Sequence, residues 1–442
     1  MMIRLGFAKK DITPDFPVHL AGYFSKDRFS EGIHDRLYAR ALAFLSEDKP
    51  FVLLQLDLLC LDALCIGRLR EVIGRFGLLK DSLLVCCVHT HSGFGGMLDT
   101  ANGMNREMVP LYGACDQTVV DFLTARCLDA IGAAIADARK TPEGGPAGDA
   151  VRIRMSRGSV KGLATNRHDP AAPCDDGLFL VEFLRADGKK ILLYNLCCHP
   201  TVLNAHNRLV SADFPGAVAA LLEREALSGP GSGDPDAYDM VLFVNGSAGD
   251  MSTRFTRTES SFAECERFGA LIRKAITETI GRGEFEALEE ARLEYRSVGL
   301  MRAEVPAPEA AEQRLAGMRK NLEETKNSTA DPRLVRKAES FVEGAEISLL
   351  KARYPRRGDE ISVETGLLSL NGQKILCVPL ELFSSLALRR KNLVFFGYAN
   401  ALLGYLADRE AYDAMDYEAL FSEFARGEGE RYMELLLGVT EH

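Results

Sequence analysis

The chain of 442 residues contains no tryptophan, which weakens any interpretation based on broad aromatic surfaces that stack on nucleic-acid bases or sugar rings. An excess of positive charge is also missing: 63 acidic residues stand against 53 basic ones, and the formal net charge is −10. This sign opposes binding to nucleic acids or anionic membrane surfaces unless basic residues cluster, and the sequence has no such cluster. We therefore expect no nucleic-acid partner.

Long apolar runs and a signal-type N-terminal segment are absent as well. The run at residues 51–60 is interrupted by Asp57 and is too short to span a bilayer, and charge appears within the first ten residues. The 11 cysteines have no regular spacing, so they do not indicate a disulfide framework. We expect a cytoplasmic protein with reduced thiols and no transmembrane segment. The oligomeric state stays open.

What the chain does contain is typical of a folded enzyme-sized protein, with 47% apolar and 26% charged residues. Strand-like and helix-like patterns alternate along it, without an internal repeat. This alternation predicts an α/β fold, specifically an α/β/α sandwich around a mixed β-sheet. We predict a single catalytic domain over residues 1–442, in which the charged segment 306–352 forms an inserted helical hairpin.

Two histidine motifs directly follow predicted strands, where α/β proteins place their sites. The sequence HTHSGFGG at residues 89–96 holds two of the eight histidines, and its glycines let backbone N–H groups approach a ligand. Metal or catalytic use is favoured there over a polar turn with incidental histidines. The sequence YNLCCHPT at 194–201 ends a second strand at His199. Alone this histidine would more often be structural, but beside the first motif it becomes a candidate third imidazole ligand.

Three later features are weaker. The sequence NGSAGDMST at 245–253 suits a loop that lines a pocket and suits an ordinary turn equally well. Glu381 follows a predicted strand, where an unpaired buried carboxylate is costly, although a position in the first turn of a helix explains it too. The sequence GYANALLGYL at 397–406 carries tyrosines, which in such a loop usually serve packing.

In this order, the motifs resemble those of the neutral, non-lysosomal ceramidase family over essentially the whole chain. The similarity begins with GFAKKDITP at residues 6–14 and continues with GIHDRLYARA at 32–41. It is most specific at HTHSG, residues 89–93. It then runs through further matches in the family's order: HPT at 199–201, GDMS at 249–252, Glu381, Tyr405 and Tyr417.

The resemblance implies a ceramidase-like catalytic domain with one zinc ion per chain. The four ligands it implies are His89, His199, Glu381 and Tyr405. Four further residues would act on the substrate: Ser252 at the scissile amide, with His91, Arg167 and Tyr417 facing the substrate. Two local departures occur: Leu380 and Leu382 flank Glu381 where the family has Gly and Pro or Thr, and Thr253-Arg254 replaces Pro-Asn.

Two imidazoles, a carboxylate and a phenol form a mixed donor set that suits zinc. The expected activity is hydrolysis of an N-acyl amide, with either metal-activated water or Ser252 attacking the carbonyl carbon. His91 and Tyr417 would stabilise the oxyanion. The negative net charge and the absence of a basic amphipathic stretch favour a small, soluble amide over a membrane lipid as substrate, although a lipid-like substrate stays open.

Two alternatives remain on the sequence alone. One is a metal-dependent esterase or deacylase with the same site, and the other is a non-catalytic zinc-binding homologue. A dinucleotide-dependent dehydrogenase is disfavoured, because no Gly-x-Gly-x-x-Gly sequence opens a helix after a strand.

Overall fold

The computed structural model describes residues 3–25, 27–98, 107–141, 150–223, 237–354, 356, 358–390 and 393–440. Its longer helices are Ala63–Val72, Gln117–Lys140, Phe214–Leu222, Phe262–Thr279, Pro308–Ser328, Pro332–Arg353 and Glu428–Thr440. Its shorter α-helices are Val109–Tyr112, Ser384–Ala387, Arg409–Ala414 and Tyr417–Phe421. Within the described ranges, none of the helices combines the length and the apolar character needed to cross a membrane.

Most strands belong to three larger sheets. The first sheet consists, in order of pairing, of Arg4–Asp11, Tyr38–Leu45, Phe51–Leu56 and Leu83–Cys87. The second consists, again in order of pairing, of Met240–Asn245, Lys190–Leu196, Gly177–Arg185, Val151–Ser159 and Glu286–Ala287. The third consists of Ala291–Met301, Glu360–Leu370, Gln373–Cys377 and Val394–Phe396. Short two-stranded pairings add Gly32–Ile33 with Leu209–Val210, Thr165–Asn166 with Met251–Ser252, and Glu381–Leu382 with Tyr405–Leu406.

Each sheet contains the same local pattern. An antiparallel pair of strands is followed by a helix and by a strand that returns parallel to the second member of the pair. Parallel neighbours end at the same edge of a sheet, so the loops that follow them lie close together. The sequence shows no internal repeat because the three units share this geometry and not their residues.

The α/β class and the mixed pairing of strands are confirmed, but the prediction of one central sheet is wrong. The three sheets pack on a common core that includes Phe44 of the first, Phe183 of the second and Ile375 of the third. Helices cover the opposite faces, for example Gln117–Lys140 on the first sheet and Phe262–Thr279 on the second. An uninterrupted apolar strand indicates burial on both faces, but its periodicity does not say whether a sheet or a helix covers it.

The charged segment predicted as helical, 306–352, forms the helices Pro308–Ser328 and Pro332–Arg353. Ion pairs connect the two helices: Arg319 with Glu346 at 3.0 Å and Arg353 with Glu312 at 3.1 Å. The second helix also packs closely on the helix Tyr417–Phe421, where a Cβ on Gly344 would touch the Leu420 side chain at 3.2 Å. That the segment is an insertion into a single domain stays a prediction.

Candidate active site

Loops from the three sheets bring His89, His199 and Glu381 together. His89 follows the strand Leu83–Cys87, and the other two follow strands of the second and third sheets. Their side chains are almost fully buried. The Nε2 atoms of His89 and His199 lie 3.3 and 3.1 Å from the same oxygen of Glu381, Oε2. We call these three side chains the histidine–glutamate cluster.

The second ring nitrogen of His89 and of His199, Nδ1, lies within hydrogen-bond distance of a backbone carbonyl. Nδ1 of His89 lies 2.9 Å from the Leu59 carbonyl oxygen, and Nδ1 of His199 lies 2.7 Å from that of Ala248. Because a carbonyl only accepts hydrogen bonds, each Nδ1 carries a hydrogen, and in the neutral tautomer each Nε2 presents a lone pair. Burial, together with the positive charge of Arg167, lowers the pKa of His199 to about 4, so its ring is neutral at neutral pH.

In that tautomer two lone pairs face one buried carboxylate oxygen, and such an arrangement is stabilised by a cation between them. His91 adds a third imidazole, since the ligand nitrogens of His89, His91 and His199 lie within 4.8 Å of one another. Both His91 nitrogens are shielded from solvent and make no hydrogen bond. Burial, aided by the two neighbouring imidazoles, holds the pKa of His91 well below its ordinary value. Neutral imidazoles and a carboxylate fit an ion such as zinc.

The backbone of His89 is held in an uncommon conformation, with a φ of 71°. The loop after the third sheet supports it. Asn400 binds the strand before His89 twice, accepting from the Val85 N–H at 3.1 Å and donating to its carbonyl at 2.7 Å. The Tyr398 ring stacks on the His89 ring with centroids 4.1 Å apart. Tyr398 lies in a sequence motif that we interpreted as packing, and here the packing orients a candidate ligand.

The loop that follows the strand Met240–Asn245 is fastened to Glu381. The Gly249 N–H donates to the Leu382 carbonyl at 2.9 Å. A Cβ at this position would collide with the carbonyl oxygen of Glu381, so the approach requires glycine. This contact fixes the position of the next few residues relative to the cluster.

Ser252 and Arg167 lie on the short strand pair that results. Ser252 pairs with Thr165 in antiparallel register and forms a parallel bridge with His199. The Arg167 N–H donates to the Asp250 carbonyl at 2.8 Å. The prediction that Ser252 and Arg167 belong to the same site as the histidines is thus consistent with where the backbone places them, while their chemical roles stay predictions.

Glu418 is a buried residue that the sequence analysis missed. It forms an ion pair with Arg167, and its Oε2 lies 2.6 Å from Nε2 of His168. The Arg167 guanidinium in turn lies 5.3 Å from the Tyr405 ring centroid and 5.8 Å from that of Tyr417. Glu418 had no sequence signal, because its partners lie about 250 positions away along the chain.

A cavity of about 650 Å³ opens beside the histidine–glutamate cluster, and we call it the site cavity. Five of the predicted site residues line it: His91, Arg167, Ser252, Tyr405 and Tyr417. Tyr405 is also paired in register with Glu381 through their short parallel strands. The eight predicted residues therefore gather at one place, three in the cluster and five on the cavity wall. The opposite wall comes from the helix Pro332–Arg353.

Glu418→Gln is expected to lower the free energy of unfolding by about 3 kcal/mol at pH 7, because it leaves the buried Arg167 without its carboxylate. Burial opposes ionisation of Glu418, but Arg167 and His168 outweigh it and lower its pKa to about 2. A depressed pKa stabilises the folded state above the unfolded value of about 4.5. The difference between wild type and variant should therefore be constant from pH 8 to 6 and shrink as the pH falls towards 2.

Urea unfolding across this pH range measures the difference. The matched control is Glu410→Gln, which removes an exposed glutamate of the helix Arg409–Ala414 and should change little. A Glu418→Gln variant as stable as wild type at pH 7 would contradict this account of the ion pair.

The chain is similar in sequence to known proteins. The family described as "Neutral/alkaline non-lysosomal ceramidase, N-terminal" matches residues 3–304. A neutral ceramidase of Mycobacterium tuberculosis is 24% identical over 97% of this chain and 75% of its own length. Neutral ceramidases of Drosophila melanogaster and Arabidopsis thaliana are each 26% identical, over 60% and 50% of this chain. Those two matches span only 38% and 30% of the relatives' own lengths.

The fold is also that of solved structures. The crystal structure of neutral ceramidase from Pseudomonas aeruginosa superimposes with a TM-score of 0.74 at 19% identity, covering 100% of this chain and 74% of the other. A structure described as ceramidase complexed with C2 gives a TM-score of 0.73 at 18% identity, covering 75% of that chain. Since the family match covers more than half of the sequence, the chain belongs to the neutral/alkaline non-lysosomal ceramidase family.

Proposed function

We propose that the protein is a zinc-dependent amidohydrolase that cleaves an N-acyl amide. The observation that carries this proposal is the convergence of the His89 and His199 lone pairs on Glu381, beside a cavity lined by Ser252. The named relatives are ceramidases, and ceramide is itself an N-acyl amide. Hydrolysis of an amide bond in a different N-acyl substrate would use the same set of residues.

In this proposal His89, His199, Glu381 and Tyr405 hold the ion. When bound, zinc supplies Lewis-acid chemistry, which polarises a carbonyl group and lowers the pKa of water. The carbonyls of Leu59 and Ala248 keep both imidazoles in the tautomer that a ligand needs.

The cavity-lining residues act on the substrate. In this proposal the hydroxyl of Ser252 attacks the amide carbonyl or orients the water that does, and the backbone bridge between Ser252 and His199 supports this role. Burial raises the pKa of Tyr417 well above its usual range, so its hydroxyl remains a donor for a developing oxyanion. Arg167, held at the same wall by its ion pair with Glu418, would bind the substrate through its guanidinium N–H groups, and the neutral ring of His91 would donate an N–H to the same oxyanion.

The lining of the cavity supports a small, soluble substrate. Its wall carries several charged side chains, among them Arg254, Arg336 and Glu343. Covering such groups with a long alkyl chain would remove them from water without offering hydrogen bonds in return. We therefore propose a short N-acyl amide met in the cytoplasm, in preference to a long-chain ceramide.

The substrate proposal predicts a higher kcat/KM for N-hexanoyl amides in solution than for a long-chain ceramide in detergent. Both are measured with one zinc-loaded preparation, and a matched hexanoyl ester tests for esterase activity. A clear preference for the ceramide would overturn the choice of substrate. Faster turnover of the ester alone would favour the esterase alternative.

The metal proposal predicts about one zinc per chain in protein purified without chelator, measured by elemental analysis. His199→Ala should lose this zinc, because it removes one of the two lone pairs that face Glu381. The control is His34→Ala, since His34 is exposed and stacks on Phe262 away from the cavity. Full zinc content in His199→Ala would refute the assigned ligands.

The role of Ser252 predicts that Ser252→Ala lowers kcat by about 100-fold or more while zinc content stays unchanged. Ser247→Ala is the matched control, because Ser247 is a buried serine of the same loop that does not line the site cavity. Steady-state kinetics on an N-hexanoyl amide measures both variants. Near-normal kcat in Ser252→Ala would reduce the residue to loop packing.

A further inference from the structure

The site cavity carries more positive than negative side chains. Its charged lining consists of four arginines and two glutamates: Arg167, Arg254, Arg257, Arg336, Glu339 and Glu343. Because the chain as a whole has a net charge of −10, this local excess of positive charge is opposite to the character of the protein. Clefts lined by one sign of charge attract ligands of the other sign.

Two of the four arginines are already neutralised by carboxylates. Arg336 lies 2.7 Å from Glu343 and 3.8 Å from Glu339, so both lining glutamates belong to it. Arg167 is paired with the buried Glu418 behind the wall. No lining carboxylate is left for the other two arginines.

Arg254 and Arg257 make no ion pair within the part of the chain that the structure describes. Among the described residues, each guanidinium donates from Nη1 to backbone carbonyls only, Arg254 to Arg167 at 2.8 Å and Arg257 to Thr201 and Val202. A guanidinium has five N–H donors in a planar fork, so most of them remain available on both side chains.

The two arginines lie on one turn directly after Ser252. The Arg257 N–H donates to the Thr253 carbonyl at 2.9 Å, which closes this turn. Burial, with the charges of Arg167, Arg336 and Arg257, lowers the pKa of Arg254 to about 10. The positive charges are thus close enough to repel one another, and an anion between them would relieve the repulsion.

We propose that Arg254 and Arg257 form a subsite for an anionic oxygen group, a carboxylate or phosphate, carried by the N-acyl amide substrate. This inference rests on the proposed function and narrows it to an acylated amine that bears a negative charge. Paired guanidiniums recognise such groups by charge-assisted, bidentate hydrogen bonds. Because the turn follows Ser252 directly, the anion lies near the scissile amide and orients it.

Three amides with the same acyl chain test the subsite: N-hexanoylglycine with a carboxylate, N-hexanoylethanolamine phosphate with a phosphate, and neutral N-hexanoylethanolamine. The readout is the kcat/KM of each anionic amide divided by that of the neutral one. Wild type should favour at least one anionic amide, and the preferred one identifies the group. Arg254→Gln and Arg257→Gln should each lower this ratio about tenfold, as expected for a lost charge-assisted hydrogen bond.

The neutral amide is an internal control, because misfolding of a variant would lower both rates and leave their ratio unchanged. Arg273→Gln removes an equal charge from an exposed position of the helix Phe262–Thr279 and should keep the wild-type ratio. A wild-type enzyme that hydrolyses all three amides equally well overturns the proposal. So does a ratio that is unchanged in both cavity variants.

Calorimetric binding separates this proposal from the proposed function, because it needs no turnover. If no amide is hydrolysed, N-hexanoylglycine or N-hexanoylethanolamine phosphate should still bind wild type about tenfold more tightly than either cavity variant. Equal dissociation constants for wild type and variants would refute the subsite, whatever the enzyme is found to hydrolyse.

Discussion

Two imidazoles and a carboxylate point at one another in the protein interior, an arrangement that suits a cation at its centre, and much of this structure serves to hold them in place. In both His89 and His199, Nδ1 binds a backbone carbonyl, and this contact orients Nε2 towards Glu381. This arrangement constrains the backbone locally. His89 adopts a left-handed conformation, and position 249 accepts only glycine. The ring of Tyr398 and the double hydrogen bond of Asn400 compensate for these constraints.

The three members of the cluster follow strands of three different sheets, so the site exists only when those sheets are packed on their common core. Each sheet contributes a loop at the end of a strand in the same kind of unit, an antiparallel pair followed by a parallel return. The candidate site therefore depends on long-range packing, although each of its side chains is a local feature of its own loop. An ion bound there would also link the three sheets to one another.

The sequence was sufficient to predict the α/β class and to select residues that the fold brings together, because polar motifs at strand ends are visible locally. It was not sufficient to predict the three sheets. An apolar strand such as Phe51–Leu56 has the same residue pattern whether a helix or another sheet packs on it. Glu418 has no local sequence signal, because its ion-pair partner, Arg167, lies far away in the chain. For the tyrosines of the motif that contains Tyr398, the sequence predicts packing. Only the fold shows that the Tyr398 ring packs on His89.

One wall of the site cavity comes from a single contiguous helix, Pro332–Arg353, whereas the cluster comes from loops of the three sheets. The two contributions are thus separable along the chain. During divergence, this helix can change in length or charge and alter the shape and charge of the cavity, while the loops that hold the histidine–glutamate cluster stay the same. For protein engineering, the helix is accordingly a segment that can be redesigned without rebuilding the histidine–glutamate cluster.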